Sequence, residues 1–226
     1  MRNKVLNAYD WFLIAGVLVT NIAYSILSDE LDLIGSITSI AGVLCVVLVA
    51  KGNIWNYLFG LINVSLYAYV SFKATAYGDA ALNALYYLPM QFIGYFAWRK
   101  RVDDTQVKAR RLSMKQRALV AVGCVGLTIS LGFLLQYLGD GQPFKDSTTT
   151  ILSIVAQALM ALAFMEQWVL WILTNIISVV MWAIFVAQGK PHAALMVIMW
   201  SFYLLNSING LRVWLKLSNG SDVKRD

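Results

Sequence analysis

Eight apolar stretches of roughly 20 residues, each bounded by charges, glycines or prolines, dominate this chain. They run from Ala8 to Leu27, Leu31 to Ala50, Asn53 to Ala74, Asp79 to Trp98, Arg117 to Leu138, Ser147 to Met165, Gln167 to Gln188 and His192 to Trp214. A helix of about 20 residues spans the hydrocarbon core of a bilayer, so each stretch is long enough to cross. The charge supply agrees, since 13% of the 226 residues are charged against about 25% in a soluble domain. The pattern predicts an all-α integral membrane protein with eight transmembrane helices, whose first partner is the lipid bilayer. The first stretch follows Arg2 and Lys4 as a secretory signal would, with a weak cleavage triplet at Ala23-Tyr24-Ser25. It is longer than a signal core, so an uncleaved span is expected.

Orientation follows from the basic residues. Arg99 to Arg117 carries Arg99, Lys100, Arg101, Lys108, Arg110, Arg111, Lys115 and Arg117, and such clusters mark the cytoplasmic side. With that loop inside, both termini, Lys51 and the Glu166-Gln167 turn are inside as well. Only Lys73, Lys145 and Lys190 of the 18 Lys and Arg then fall outside. The asymmetry accounts for a pI near 9.3 without nucleic acid as a partner. Read alone, the charge run is also a solvated linker.

An internal repeat is visible. At a constant offset of 116, the third and fourth stretches fall on the seventh and eighth, pairing Trp55 with Trp171, Tyr69 with Phe185, Tyr87 with Tyr203, Gly94 with Gly210 and Trp98 with Trp214. The same offset lays the second stretch on the sixth, so the repeat is three helices. Three spans reverse the side of the chain, and parallel repeats therefore need one helix between them; the fifth stretch is that linker. The segments become 1–30 (an extra N-terminal helix), 31–100 (first repeat), 101–140 (basic loop and linker helix) and 141–226 (second repeat and tail). Parallel three-helix repeats are a transporter architecture, with substrate held near the midplane.

No Asp, Glu, Lys or Arg lies in the middle of any predicted span. Ion-coupled carriers usually carry such groups, so passive movement is expected. Their absence also removes the paired carboxylates and Ser-His-Asp sets of an enzyme. One histidine, His192, and two isolated cysteines, Cys45 and Cys124, imply no metal site, no disulfide framework and no cofactor.

The spans do hold uncharged polar and aromatic residues at helical spacing. Asn56, Gly60, Asn63 and Tyr67 share one face of the third stretch, and Asn83, Tyr87, Gln91, Gly94 and Trp98 one face of the fourth. Trp171, Asn175, Ser178 and Trp182 do so on the seventh. On the eighth, Met199, Tyr203, Ser207, Gly210 and Trp214 align, with Asn206 and Asn209 beside them. Gln157 lies near the middle of the sixth. Singly, such residues serve equally well to hydrogen-bond a neighbouring helix; as a set they can line one cavity. Candidate substrate-binding residues are Trp182, Gln91, Asn63, Asn175, Ser178, Tyr87, Tyr203, Asn206, Asn56 and Gln157. Pro89 removes a backbone donor in mid-span and predicts a kink, either static or a hinge; it and Tyr67 are the gating candidates. Trp98, Trp168, Trp171 and Trp214 fall near the inner boundary and read as belt anchors.

The strings W-N-Y-L-F-G-L-I-N-V-S-L-Y-A-Y at Trp55 to Tyr69 and L-P-M-Q-F-I-G-Y-F-A-W at Leu88 to Trp98 resemble the PnuC family of bacterial vitamin B3 transporters. E-Q-W-V-L-W at Glu166 to Trp171 and Y-L-L-N-S-I-N-G-L-R-V-W at Tyr203 to Trp214 agree. The resemblance covers about Leu31 to Lys216 and leaves the first helix outside. It implies a facilitator for nicotinamide riboside in a bacterial inner membrane, an architecture related to the SWEET sugar transporters, trapping of the substrate by intracellular phosphorylation, and a homotrimer. A sister transporter for thiamine or riboflavin is the alternative.

Overall fold

The computed structural model describes residues 6–28, 33–73, 80–103, 106–139, 143–188 and 193–222; within the helices a few side chains, Trp182 and Met199 among them, lie outside that description. The described residues form eight α-helices: α1 (Ala8–Ser28), α2 (Leu33–Ala50), α3 (Asn56–Lys73), α4 (Leu88–Arg99), α5 (Met114–Tyr137), α6 (Pro143–Ala161), α7 (Gln167–Ala187) and α8 (Ala193–Asp222). They match the eight apolar stretches in order. The predicted starts at Leu31, Asp79 and His192 and the predicted end at Ala74 lie outside the described residues, and α8 runs two turns past its predicted end. A short antiparallel ribbon, β1 (Val102–Asp103) and β2 (Gln106–Val107), follows α4.

Two compact units, Met1–Lys108 and Ala109–Asp226, divide the chain. In the first, α1 packs on α2, α2 on α3, and α3 on α4; in the second, α5 packs on α6, α6 on α7, and α7 on α8. The outward faces are apolar: Trp11, Val19, Ile22 and Ile26 on α1, and Leu119, Val122, Val125 and Phe133 on α5, are all more than half exposed. Apolar faces this long suit lipid, not water.

Pro89 does not break its helix. The chain widens ahead of it into a π-helical turn, Leu82–Tyr87, in which the Leu88 amide donates to the Asn83 carbonyl five residues back. The wider turn takes up the register that a missing proline N–H disturbs, and wide turns and prolines are both places where a helix bends.

Each unit contains the same turn. After α2, Asn53 N donates to Leu48 O (2.9 Å) and Gly52 N to Val49 O (2.8 Å); after α6, Phe164 N donates to Leu159 O and Ala163 N to Met160 O, both at 2.9 Å. These are Schellman closures, and they put Gly52 at φ 63° and Ala163 at φ 61°. Each unit also contains the same clasp. The Tyr57 ring lies on Gly94 and meets Trp98 edge-on at 5.1 Å; the Trp168 ring lies on Gly210 and meets Trp214 at 6.2 Å. The turns and the starts of α3 and α7 (Gly52 with Ala163, Tyr57 with Trp168) are five residues out of step with the separation of 116 that relates Gly94 to Gly210.

The clasps correct the belt assignment. Trp98 and Trp214 are fully buried and Trp168 nearly so, because a glycine on the facing helix lets each pair of rings close within the protein. Trp171 is half-buried.

The basic loop is exposed at most of its Lys and Arg, as a solvated linker is, and is tied down at a few points. Arg110 N donates to Ala163 O, and its guanidinium lies 4.3 Å from the centroid of the Phe164 ring. Arg111 donates to Ser218 Oγ (2.8 Å) and to Asn219 Oδ1 on the last turns of α8, the turns that extend beyond Trp214. Glu166 Oε1 receives Leu112 N at 3.1 Å and pairs with Arg117 at 2.9 Å, while Ser113 and Gln116 form a capping box that starts α5. In the first unit, Asn7 and Asp10 cap α1 reciprocally. The Asp10 carboxylate, itself wholly buried, pairs with Lys51 at 2.8 Å.

Candidate functional site

In the first unit, α3 and α4 present the polar stripes. Asn63 reaches across to α2, its Nδ2 donating to the Thr38 carbonyl at 2.8 Å. Gln91 is buried on α4; its Nε2 donates to the Tyr87 carbonyl at 3.3 Å, and its Oε1 has no protein partner. Asn56, fully buried at the start of α3, donates through Nδ2 to Asn53 O at 2.7 Å and leaves its Oδ1 unpartnered. Tyr87 is half-buried and packs against Tyr86, ring centroids 5.4 Å apart. Tyr67 and Pro89 sit on exposed positions, so neither gating candidate shares the buried environment of Gln91.

In the second unit, α7 and α8 are joined by a polar chain. Asn175 Nδ2 donates to Ser207 Oγ at 2.7 Å, and Ser207 in turn donates to the Tyr203 carbonyl at 2.9 Å. Ser178 and Asn206 are buried close by in sequence, and Tyr203 is half-buried with its ring edge-on to Trp200 at 5.6 Å. Gln157 on α6 is buried with Nε2 unpartnered. The Trp182 side chain lies outside the described residues.

The sequence reading passed over three buried polar residues in this unit. Thr174 Oγ1, Trp168 Nε1 and both amide atoms of Gln167 are buried without a protein partner. Thr174 follows Trp171 by three residues and precedes Ser178 by four, so it lies at the edge of the same helix face. Gln167 belongs to the turn expected on the cytoplasmic side, at the start of the seventh stretch.

The buried polar groups described on α3, α4, α6, α7 and α8 are thus amides, hydroxyls and an indole. They bind and release by hydrogen bonds and ring faces, which is the equipment of a carrier for a small polar solute rather than of a catalyst. Comparison with known proteins agrees. The family described as "Nicotinamide mononucleotide transporter" matches residues 32–216. The nicotinamide riboside transporter PnuC of Neisseria mucosa is 42% identical over 191 residues, covering 81% of this chain and 72% of that protein. That of Haemophilus influenzae is 40% identical over 186 residues, covering 80% and 78%, and that of Escherichia coli 31% over 233 residues, covering 91% and 94%. The crystal structure of the vitamin B3 transporter PnuC superposes with a TM-score of 0.77 at 37% identity, covering 95% of this chain and 93% of that one. The chain belongs to the PnuC family of membrane transporters.

Proposed function

We propose that this chain is a facilitator that carries nicotinamide riboside across a bacterial inner membrane by alternating access, with no ion gradient coupled to the movement. The observation that carries the reading is the set of uncharged amides at Asn63, half-buried, and at Gln91 and Asn175, both buried, in a member of this family. Nicotinamide riboside has a flat pyridinium cation, a carboxamide and a ribose. Ring faces such as Trp182, Tyr87 and Tyr203 suit the cation, and amides with Ser178 suit the polar groups. The relatives' names favour the riboside over thiamine or riboflavin. The family description names the mononucleotide. Its phosphate would bring about −1.5 to −2 charges into spans that offer no mid-span Lys or Arg, which favours the riboside here as well.

The proposal includes the arrangement of the chain: two parallel three-helix repeats, α2–α4 and α6–α8, joined by α5, with α1 in addition and both termini cytoplasmic. The duplicated turn and clasp support the repeat, and the distribution of basic residues supports the orientation. A homotrimer, implied by the family resemblance, completes it.

Uptake of labelled nicotinamide riboside into proteoliposomes tests the reading. The substrate is expected to equilibrate and go no further. Absence of uptake refutes the substrate, and accumulation driven by an imposed proton or sodium gradient, with no trapping enzyme inside, refutes passive movement.

A further inference from the structure

Four cations of the basic loop are engaged within the protein. Lys108 pairs with Asp103 at 3.7 Å, Arg110 lies on Phe164, Arg111 donates to Ser218 and Arg117 pairs with Glu166. Arg99, Lys100 and Arg101 are different: they are consecutive, all exposed, and in no ion pair among the described residues. Of the acids in the ribbon, Asp103 is taken by Lys108, and Asp104 lies outside the described residues.

The backbone turns these three charges outward. At about 100° per residue, Phe92, Ile93, Phe96, Arg99 and Lys100 fall within an arc of about 120°, while Gln91, Gly94 and Trp98 are buried on the opposite side of α4. Phe92, Ile93 and Phe96 are each more than half exposed. Arg101 extends the ribbon, since its carbonyl accepts Lys108 N at 3.0 Å, one step beyond the Val102–Val107 pair. Side chains alternate along a strand, and Val107 is buried. Arg101 therefore stands on the face turned from the protein. Along the helix axis the surface passes from apolar rings to cations in about 6 Å, the rise from Phe96 to Lys100.

In a chain that spans a bilayer this is the profile of a phospholipid. The fold does not require the charges: the offset relating Trp98 to Trp214 puts Leu215, Lys216 and Leu217 at the corresponding positions of α8, one cation in place of three. Membrane orientation does not require them at this spot either, because Lys and Arg count anywhere near the span ends.

We propose that Arg99, Lys100 and Arg101 form a binding site for the headgroup of an anionic phospholipid, whose acyl chains lie along Phe92, Ile93 and Phe96. The guanidinium forks match phosphate oxygens and Lys100 adds a point charge. An anionic headgroup is preferred over a zwitterionic one, whose own cation would meet these three. The site is separate from the transported solute, lying on the side of α4 opposite Gln91.

Titration of the detergent-purified full-length protein with phosphatidylglycerol or phosphatidylcholine, read by native mass spectrometry, tests this. Phosphatidylglycerol should bind the unmodified chain at least about tenfold more tightly than phosphatidylcholine. At about fivefold per cation near a membrane surface, Arg99→Gln/Lys100→Gln/Arg101→Gln should weaken it by about a hundredfold and leave the thermal midpoint in phosphatidylcholine unchanged. Should the triple variant insert poorly, Lys100→Gln and Arg101→Gln singly should each cost about fivefold. Removing three other exposed charges, with Lys115→Gln/Arg212→Gln/Lys216→Gln, should cost little. Equal losses in the two triple variants, or none in the first, overturn the site. Equal protection against thermal unfolding by glycerol 3-phosphate would assign it to a soluble anion and overturn the lipid. A second copy of the chain seated on this face would exclude the lipid, so the absence of any phosphatidylglycerol adduct on the unmodified chain also overturns it.

Discussion

Replacing Trp214 with alanine separates a packed clasp from a membrane belt. Trp214 is 0% exposed and meets Trp168 at 6.2 Å and 67°, and the Trp168 ring in turn lies on Gly210. Emptying such a site in a soluble core costs about 3–5 kcal/mol. In a membrane the unfolded helices stay in lipid, so the water-transfer part is smaller and lost packing dominates; we take about 3 kcal/mol, the low end of the range. At roughly 2–4 °C per kcal/mol for a chain of this size, the thermal midpoint should fall by about 6–12 °C. Gly210→Ala attacks the same contact from the other side. Its Cβ would come 2.5 Å from a rigid ring atom of Trp168, with an overpacking cost of about 1–3 kcal/mol. Circular dichroism melts of the detergent-purified variants measure both. A tryptophan that merely anchors at the interface would change stability by less than about 0.5 kcal/mol, so midpoints that stay in place for both variants refute the clasp.

Gln91→Ala and Trp182→Ala should each weaken riboside binding by about tenfold or more, about 1.4 kcal/mol per decade, through loss of an amide partner and of a ring face for the cation; calorimetry with unchanged affinity for both would place the substrate elsewhere. Asp10→Asn should destabilise the chain by about 3 kcal/mol, the low end for breaking a buried ion pair, since Lys51 at 2.8 Å keeps some exposure. Lys51→Met in the same chain should recover part of that loss, and a melt that does not respond to Asp10→Asn would show the pair to be idle. A single cysteine at position 105 should resist impermeant maleimide applied to intact cells, because the basic loop is placed inside; strong labelling there would invert the topology.

The eight helices were legible because one physical quantity, the length needed to cross a bilayer, sets both the apolar runs and their boundaries. The duplicated Gly94-to-Trp98 and Gly210-to-Trp214 patterns were legible as well. Carrying one constant offset through the whole repeat was not, since the turns before α3 and α7 are five residues out of step with α4 and α8. Trp55 and Trp171, paired on identity, occupy different places. Depth along a helix could not tell a belt tryptophan from a buried one; that difference lies in which face meets Tyr57 or Trp168. Nor does local sequence show that Arg110, Arg111 and Arg117 find Phe164, Ser218 and Glu166, all far along the chain. The orientation of the amides is the least legible feature, because the partners that set it for Asn63 and Gln91 are backbone carbonyls, which every residue type possesses.

A neutral site has a consequence for the transport cycle. A carrier must release on one side what it bound on the other, so tight binding slows the return. Each amide contact contributes about 1 kcal/mol net and a desolvated ring face about 2 kcal/mol for a cation. Three or four such groups, less the cost of immobilising the riboside, suffice for recognition and leave dissociation fast. A buried carboxylate facing the pyridinium would exchange that balance for an ion pair whose rupture leaves an uncompensated charge, a loss of about 3–5 kcal/mol. The absence of mid-span carboxylates then serves one requirement: attraction of a cation rich in donors by partial charges that let it go.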